Sequence, residues 1–210
     1  HREGIPYIII SDIGGARVFE VLFYDPSYYF SHPLKIFAVW EGGLASHGAI
    51  IAIILTTFYF CRKHKLDILN FLDLISIPVA LGAAFIRVGN FINSELVGKV
   101  SNVPWAVKFA GYEGLRHPVQ LYQAIGHVII FFILLLVLFN YKNRKIGFIF
   151  FTMLLIDSLF RFITEFYKDL PSDYGFFYFG LNLAQWFSIV IGLICLVYLI
   201  KIYNILSRRT

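Results

Sequence analysis

The sequence has little charge and almost no cysteine for its length. Of its 210 residues, 15% are Asp, Glu, Lys or Arg and two are cysteines, whereas about 25% of the residues of a soluble domain are charged. Two cysteines are too few for a disulfide scaffold, and we expect both, Cys61 and Cys195, to pack as small hydrophobic residues. The high hydrophobicity excludes intrinsic disorder.

Apolar and aromatic residues dominate instead. Hydrophobic residues make up 59% of the chain and aromatic residues 19%, which is more than a soluble domain of this size can bury. We therefore expect a membrane protein. The formal net charge of +5 does not indicate a nucleic-acid partner, because the basic residues stand in short clusters between apolar runs.

Several motifs of familiar enzymes are missing. The chain has no GxSxG, HExxH, CxxC or P-loop sequence, so it lacks the usual residues of serine hydrolases, zincins, thiol oxidoreductases and nucleotide-driven enzymes. No set of metal ligands is recognisable, and we expect neither a metal ion nor another cofactor.

Six apolar runs are long enough to cross a bilayer, whose core of about 30 Å takes about 20 residues per helix. The sequence therefore predicts an all-α, polytopic membrane protein with a single integral-membrane domain over residues 1–210. Residue 1 is His and no signal peptide is recognisable, so we expect a truncated amino terminus. The six runs cover roughly 5–24, 43–61, 68–92, 119–140, 146–166 and 181–203.

Basic clusters orient the runs. Lys and Arg gather in 62–65, 142–145 and 208–209, after the second, fourth and sixth runs. The positive-inside rule makes these segments and the carboxyl terminus cytoplasmic. The connectors between them then face outward.

Polar residues inside the runs gather at the outer ends. A charged side chain at the centre of a membrane helix costs about 2.5–3.5 kcal/mol, so such residues usually face a protein-lined cavity. We expect one outward-facing cavity that receives polar groups from five helices: His47, Arg87, Asn90, His117, Gln120, Arg161, Glu165, Asn182 and Gln185.

The segment 87–98 has the highest density of polar groups and glycines. Arg87, Asn90 and Glu95 stand where a helix leaves the membrane, and Gly98 allows the backbone to bend or to approach a ligand closely. The planar fork of an arginine suits a phosphate. The alternative is an arginine that snorkels to the interface beside a polar helix end.

Three histidines in the runs have different expected roles. His47 follows a Gly-Gly pair at an outer end and suits proton transfer near neutral pH, although a structural hydrogen-bonding role is equally open. His117 precedes Pro118 at a helix start, where it either contacts a ligand or caps the helix. His127 lies deeper, and we expect it to be a packed core residue.

Charged residues recur every four positions in the fifth run. Asp157, Arg161 and Glu165 share one helix face. They predict either a structural ion-pair stack or an anion site at Arg161 that Glu165 positions. Arg17 and Glu20 form a similar pair in the first run, which we interpret as structural.

Four segments of the chain form a recognisable set: WEGGLASHG (40–48), RVGNFINSELVG (87–98), RHPVQLYQ (116–123) and RFITEF (161–166). In their order and spacing they resemble the prolipoprotein diacylglyceryl transferases, bacterial enzymes that act on phosphatidylglycerol and prolipoproteins. The resemblance extends from about Gly14 to Gln185. The chain departs from the family pattern in lacking the first span with its tyrosine, in having Asn93-Ser94 for the usual Asn-Gly, and in having Gln123 for a common Glu.

The resemblance implies an inner-membrane enzyme of lipoprotein biosynthesis, with seven spans in the full family member and an active site towards the periplasm. It would transfer the diacylglyceryl group of phosphatidylglycerol to the lipobox cysteine thiol of a prolipoprotein and release glycerol 1-phosphate. On this hypothesis Arg87 and Arg161 hold the phosphate, Asn90 donates a hydrogen bond, and His47 accepts the thiol proton. Glu95 and Glu165 orient the arginines or a substrate hydroxyl, Gly98 permits close approach of the loop, and His117 is an auxiliary polar contact.

Two other classes of protein remain open. A transporter of an anionic lipid or solute would also need an anion site, but transporters typically have internal repeats and a site near the midplane. A structural membrane subunit would use the same polar residues to hold helices together. In that case substitution of Arg87 would lower folding and abundance.

Overall fold

The computed structural model describes residues 4–41, 46–141, 144–170 and 179–207. Within these ranges the chain is helical and has no β-strand, only isolated bridge pairs, which confirms the all-α prediction. The α-helices are α1 (Gly4–Phe19), α2 (Pro26–Ser31), α3 (Ser46–Lys63), α4 (Ile68–Ile92), α5 (Val119–Asn140), α6 (Phe148–Glu165) and α7 (Leu183–Ser207). A π-helical turn, Glu20–Tyr24, extends α1, and two 3₁₀ turns, Pro33–Phe37 and Val39–Glu41, follow α2.

The six long helices coincide with the six apolar runs. Of the described helices, α4, α5 and the part Leu183–Tyr203 of α7 are long and apolar enough to cross a membrane. Helix α1 has 16 residues, α3 ends in two basic residues, and α6 carries three charged side chains. The fold is therefore that of a helical membrane protein, and the crossings by α1, α3 and α6 stay predictions.

The chain forms two compact units, His1–Phe71 and Leu72–Thr210. The single domain expected from the sequence stays a prediction. Cys61 and Cys195 are both buried free thiols, which confirms the interpretation that they are packing residues.

Helices α1 and α3 cross closely in the first unit because small residues meet there. A Cβ atom added to Gly15 would overlap Ala52, and one added to Gly48 would overlap Phe19. Small residues let helix backbones approach closely in the absence of a hydrophobic driving force between them. This crossing therefore depends on both glycines.

Arg17 also has a structural role in the first unit. Its guanidinium is buried and donates hydrogen bonds to Ile36 O (2.9 Å), to Ala38 O (3.1 Å) and to the Tyr29 hydroxyl (3.0 Å). These bonds hold the 3₁₀ segment after α2 against α1. The structural interpretation of Arg17 is therefore confirmed.

The second unit contains most of α4 together with α5, α6 and α7. Its core includes Ala80 from α4, Ile130 and Leu134 from α5, and Ile149 from α6, all nearly inaccessible to solvent. A shared apolar core of this kind fixes the three helices relative to one another. It lies on the cytoplasmic side of the polar residues in the predicted topology.

An acidic residue of α4 supports the start of α6. Asp73 accepts hydrogen bonds from Gly147 N and Phe150 N, both at 2.8 Å. The first amides of a helix have no partner within that helix, and a carboxylate there also interacts favourably with the helix dipole. Asp73 thus serves as an N-terminal cap for α6 from a neighbouring helix.

Candidate active site

Helices α4, α5 and α6 enclose a cavity of about 170 Å³ in the second unit. Arg87 of α4 and Arg161 of α6 both line it, as the sequence analysis expected. The other described polar residues of the expected cluster do not line it, and its described lining comes from three helices rather than five. The cavity is lined by Ala83, Arg87, Gln123, His127, Asp157, Phe160, Arg161 and Thr164.

A short polar chain holds Arg87. With its amide oriented so that both ends are satisfied, Asn90 accepts a hydrogen bond from Arg87 Nη1 (3.2 Å) and donates one to Glu95 Oε2 (3.3 Å). Asn90 therefore contacts Arg87 directly, and Glu95 acts on the arginine through Asn90. The amide nitrogen of Asn90 donates to Ile86 O (3.3 Å) as well as to Glu95, so both of its donors are used and this side chain positions the arginine rather than offering a free amide.

The turn after α4 brings Glu95 back towards that helix. Glu95 N donates to Asn90 O at 2.8 Å, and Ser94 adopts a left-handed conformation with φ of 57°. A glycine would adopt this conformation without strain, whereas a residue with a Cβ atom pays about 1–2 kcal/mol. The Ser94 hydroxyl accepts a hydrogen bond from Ala110 N (3.2 Å), which offsets part of that strain.

Arg161 is exposed, and its guanidinium has no hydrogen bond or ion pair among the described residues. The acids on its helix face have other partners. Asp157 lies beside His127, and Glu165 is buried against Lys168 Nζ (2.9 Å) and Asn182 Nδ2 (3.3 Å). The ion-pair stack considered from the i, i+4 spacing is therefore not formed, and in the described part of the chain Glu165 makes no hydrogen bond or ion pair with either arginine of the cavity.

His127 differs from its expected role. Its Nδ1 lies 3.5 Å from Asp157 Oδ1, and both residues line the cavity with the arginines. The prediction of a packed core residue is wrong, because the neighbouring helix presents a carboxylate at that depth. The available signal was the spacing of Gln123 and His127, which lie one turn apart on one face of α5.

Gln123 and Thr164 complete the polar wall. Gln123 Nε2 donates to Thr164 Oγ1 at 3.2 Å, and both side chains are buried. Gln123 stands where the family resemblance leads us to expect a glutamate. The structure thus places an uncharged amide at this point of the cavity wall.

Gly98 lies where three segments converge. Its N–H donates to His117 O (3.2 Å), and it pairs with Lys168 in an antiparallel bridge. A Cβ atom at position 98 would overlap the His117 carbonyl and lie 2.7 Å from Val119 Cγ2. The close approach that the glycine permits is to the protein's own backbone.

His117 does not cap α5. The residue at the cap position is Pro118, with no side-chain hydrogen bond to the helix start, so the capping alternative is wrong. His117 Nδ1 instead lies 3.1 Å from the Tyr122 hydroxyl, which also accepts a bond from Trp105 Nε1 at 2.7 Å. His117 therefore belongs to a polar and aromatic cluster in the 93–122 region.

The remaining polar residues of the predicted cluster bind protein groups. Gln120 Nε2 donates to Glu95 O at 2.6 Å. Asn182 and Gln185 exchange backbone and side-chain hydrogen bonds of 2.8 and 2.9 Å at the start of α7, which is the reciprocal pattern of a capping box. These residues support the ends of α5 and α7.

The candidate base, His47, lies in α3 in the first unit. Its side chain is outside the described residues, as is the Gly-Gly pair before it. The role expected for His47 stays a prediction.

Comparison with known proteins settles the family. The sequence model of the prolipoprotein diacylglyceryl transferases matches residues 3–201. The chain belongs to this family. A relative from Tolumonas auensis, named phosphatidylglycerol–prolipoprotein diacylglyceryl transferase, is 40% identical over 187 residues, which are 88% of this chain and 72% of the relative.

Other relatives bear the same name. The one from Geobacter sulfurreducens is 40% identical over 169 residues, covering 80% of this chain and 65% of the relative. The one from Chloroherpeton thalassium is 38% identical over 201 residues, covering 93% of this chain and 75% of the relative. The chain thus spans about two thirds to three quarters of their length and is a member of a family of membrane transferases.

Proposed function

We propose that this chain transfers the diacylglyceryl group of phosphatidylglycerol to the lipobox cysteine thiol of a prolipoprotein, forming a thioether and releasing glycerol 1-phosphate. The observation that carries the proposal is the pair of guanidiniums, Arg87 and Arg161, that line one cavity without a carboxylate partner among the described residues. Family membership supplies the reaction class. No cofactor takes part in the proposed reaction.

The cavity suits a phosphodiester. Arginine offers parallel N–H donors that match phosphate oxygens, and it carries its charge at all physiological pH values. Asn90 fixes the direction of the Arg87 guanidinium, and Glu95 fixes Asn90. Because these donors are placed before the lipid arrives, little reorganisation is needed as negative charge develops on the phosphate.

The reaction is a displacement at the glycerol carbon that bears the phosphate. The thiolate sulfur forms a bond to this carbon while the carbon–oxygen bond breaks, and its electron pair goes to the phosphate. A free cysteine thiol, with a pKa of about 8.5, is mostly protonated at neutral pH. We assign the proton acceptor to His47, and the nucleophile belongs to the substrate protein.

Glu165, Gly98 and His117 have supporting roles on this proposal. Glu165 holds Lys168 and the start of α7 beside the cavity wall. Gly98 and His117 fix the loop that follows α4 to the start of α5. We propose that these contacts keep the lipid headgroup site in shape, with His117 as an auxiliary polar contact.

The proposed location follows from the charge pattern. The enzyme would span the bacterial inner membrane several times, with its carboxyl terminus in the cytoplasm and its active site towards the periplasm. A transporter of an anionic lipid or solute would use the same arginines, but family membership does not favour it. A structural subunit would need the arginines for folding rather than for turnover.

Turnover and folding are measured together to test the proposal. The purified protein is reconstituted with phosphatidylglycerol and a lipobox peptide, and the diacylglyceryl adduct of the peptide is measured by mass spectrometry. Arg87→Ala and Arg161→Ala should abolish most of the adduct while the thermal melting temperature in detergent stays near that of the parent. Arg62→Ala, an exposed arginine at the end of α3, serves as the matched control.

Two results would contradict the proposal. A well-folded parent that forms no adduct would rule out the transferase activity of this chain. Loss of folded protein in both cavity variants, with normal specific activity of the remainder, would support the structural alternative instead.

A further inference from the structure

A histidine and a carboxylate from neighbouring helices lie side by side in the cavity that Arg87 and Arg161 line. His127 of α5 and Asp157 of α6 lie 3.5 Å apart between Nδ1 and Oδ1. The other charged groups that line this cavity are Arg87 from α4 and Arg161 from α6. If the two arginines bind the lipid as proposed, His127 and Asp157 still have no role in the reaction.

In the transition state the phosphate carries more negative charge than the two arginines and the aspartate of the cavity can balance. One more cation is needed. Two arginines and one aspartate carry a formal charge of +1, which balances the single negative charge of a bound phosphodiester. As the carbon–oxygen bond breaks, the departing phosphate gains a second negative charge. A protonated His127 would balance that charge, so the cavity would match the transition state better than the ground state.

The direction of the displacement places His127 on the side of the leaving group. The sulfur must attack the carbon from the side opposite the breaking carbon–oxygen bond, so thiol and phosphate lie on opposite sides of that carbon. His127 shares its cavity with the two arginines assigned to the phosphate. A proton from His127 is therefore directed to the phosphate and not taken from the thiol.

We propose that His127, oriented by Asp157, is the general acid that donates a proton to the phosphate oxygen as the carbon–oxygen bond breaks. This inference rests on the proposed function. The thiol loses its proton to the base, the sulfur–carbon bond forms, and the departing oxygen receives a proton from His127. The products are a thioether and a glycerol phosphate monoanion. The proton that the thiol releases replaces the one that His127 donates, so the cycle consumes no net proton.

Asp157 is a positioning residue in this scheme. In this scheme the Nδ1–H of the imidazolium points at the Asp157 carboxylate, 3.5 Å away, and stays on nitrogen, which leaves the Nε2 proton for transfer. The pair therefore works as a unit, and substitution of either residue should weaken the same step. General acids of this kind contribute about 10²–10⁴-fold to rate.

A sulfur-bridged lipid tests the proton transfer directly. The assay compares phosphatidylglycerol with an analogue in which sulfur replaces the oxygen between the reacting carbon and phosphorus. A thiophosphate sulfur leaves readily without a proton. His127→Gln should lower turnover of the natural lipid about 10²-fold and turnover of the sulfur analogue by only a few-fold, with Asp157→Asn shifting the ratio in the same direction.

The ratio of the two rates is measured within one preparation, so it does not depend on how much protein is folded. The matched control is His32→Gln, at an exposed histidine of the first unit, which should leave the ratio unchanged. An equal loss on both lipids, or no loss on either, would overturn the inference. If the parent formed no adduct with either lipid, the proposed function itself would fail; if His127→Gln did not fold, Asp157→Asn would decide by the same ratio.

Discussion

Removal of the Asp73 carboxylate should destabilise the second unit through the start of α6. Asp73→Ala deletes two hydrogen bonds of 2.8 Å, to Gly147 N and Phe150 N. It also removes a negative charge from the positive end of the helix dipole. Both amides would then have to find other partners in a half-buried position.

The size of the effect follows from these contacts. A lost N-terminal cap costs about 0.5–2 kcal/mol, and a hydrogen bond to a charged group contributes about 1.5–3 kcal/mol. Loss of the dipole interaction adds about 0.3–1 kcal/mol. Because these contributions overlap, we expect Asp73→Ala to lower the free energy of unfolding by about 3 kcal/mol. Asp73→Asn, which keeps one carbonyl acceptor, should cost about half as much.

Asp67 provides a matched control. It caps the neighbouring helix α4 through a single hydrogen bond from Asn70 N (2.9 Å) at an exposed site. Asp67→Ala should therefore cost about 1 kcal/mol. Unfolding of the three variants is compared by equilibrium titration with SDS in mixed micelles. A loss in Asp73→Ala no larger than that in Asp67→Ala would refute the reasoning.

Three further substitutions test other parts of the site. Gly98→Ala should displace the loop from the His117 carbonyl. We therefore expect both the melting temperature and the turnover to fall, and an unchanged melting temperature would show that the backbone shifts freely. Asn90→Ala should release the Arg87 guanidinium. Because one charge-assisted hydrogen bond is lost, turnover should fall by about tenfold while folding stays normal. Unchanged kinetics would show that the hydrogen bond from Arg87 to Asn90 is unimportant. His47→Ala should lose turnover near neutral pH and partly regain it at higher pH, where the substrate thiol ionises unaided; near-normal activity at neutral pH would remove the base assignment.

The helices could be predicted from the sequence because the bilayer imposes a length and an apolar surface on each span. The fourth run, 119–140, coincides with α5, and the second, 43–61, with α3 to within a few residues. Charged residues inside such runs are costly in lipid. Arg87 and Arg161 were therefore predictable as cavity residues from their position alone.

The partners of the charged side chains could not be predicted in the same way. Spacing along α6 favoured bonds between Asp157, Arg161 and Glu165, but side chains of other segments compete for the same acids. His127 lies in an apolar run and has its partner on another helix. Its spacing from Gln123 indicates a polar face of α5 but does not identify the carboxylate that this face meets. The contacts of the 93–118 loop depend on long-range backbone pairing, which sequence periodicity does not encode.

Binding of the lipid headgroup tests the central claim most directly. The affinity of the purified protein for phosphatidylglycerol is measured in micelles of a neutral detergent, with phosphatidylcholine as the competing lipid. A charge-assisted hydrogen bond contributes about 1.5–3 kcal/mol, so Arg87→Gln and Arg161→Gln should each weaken binding about 10- to 100-fold, while Arg62→Gln should not. Unchanged affinity in both cavity variants would contradict the claim that these two arginines hold the phosphate.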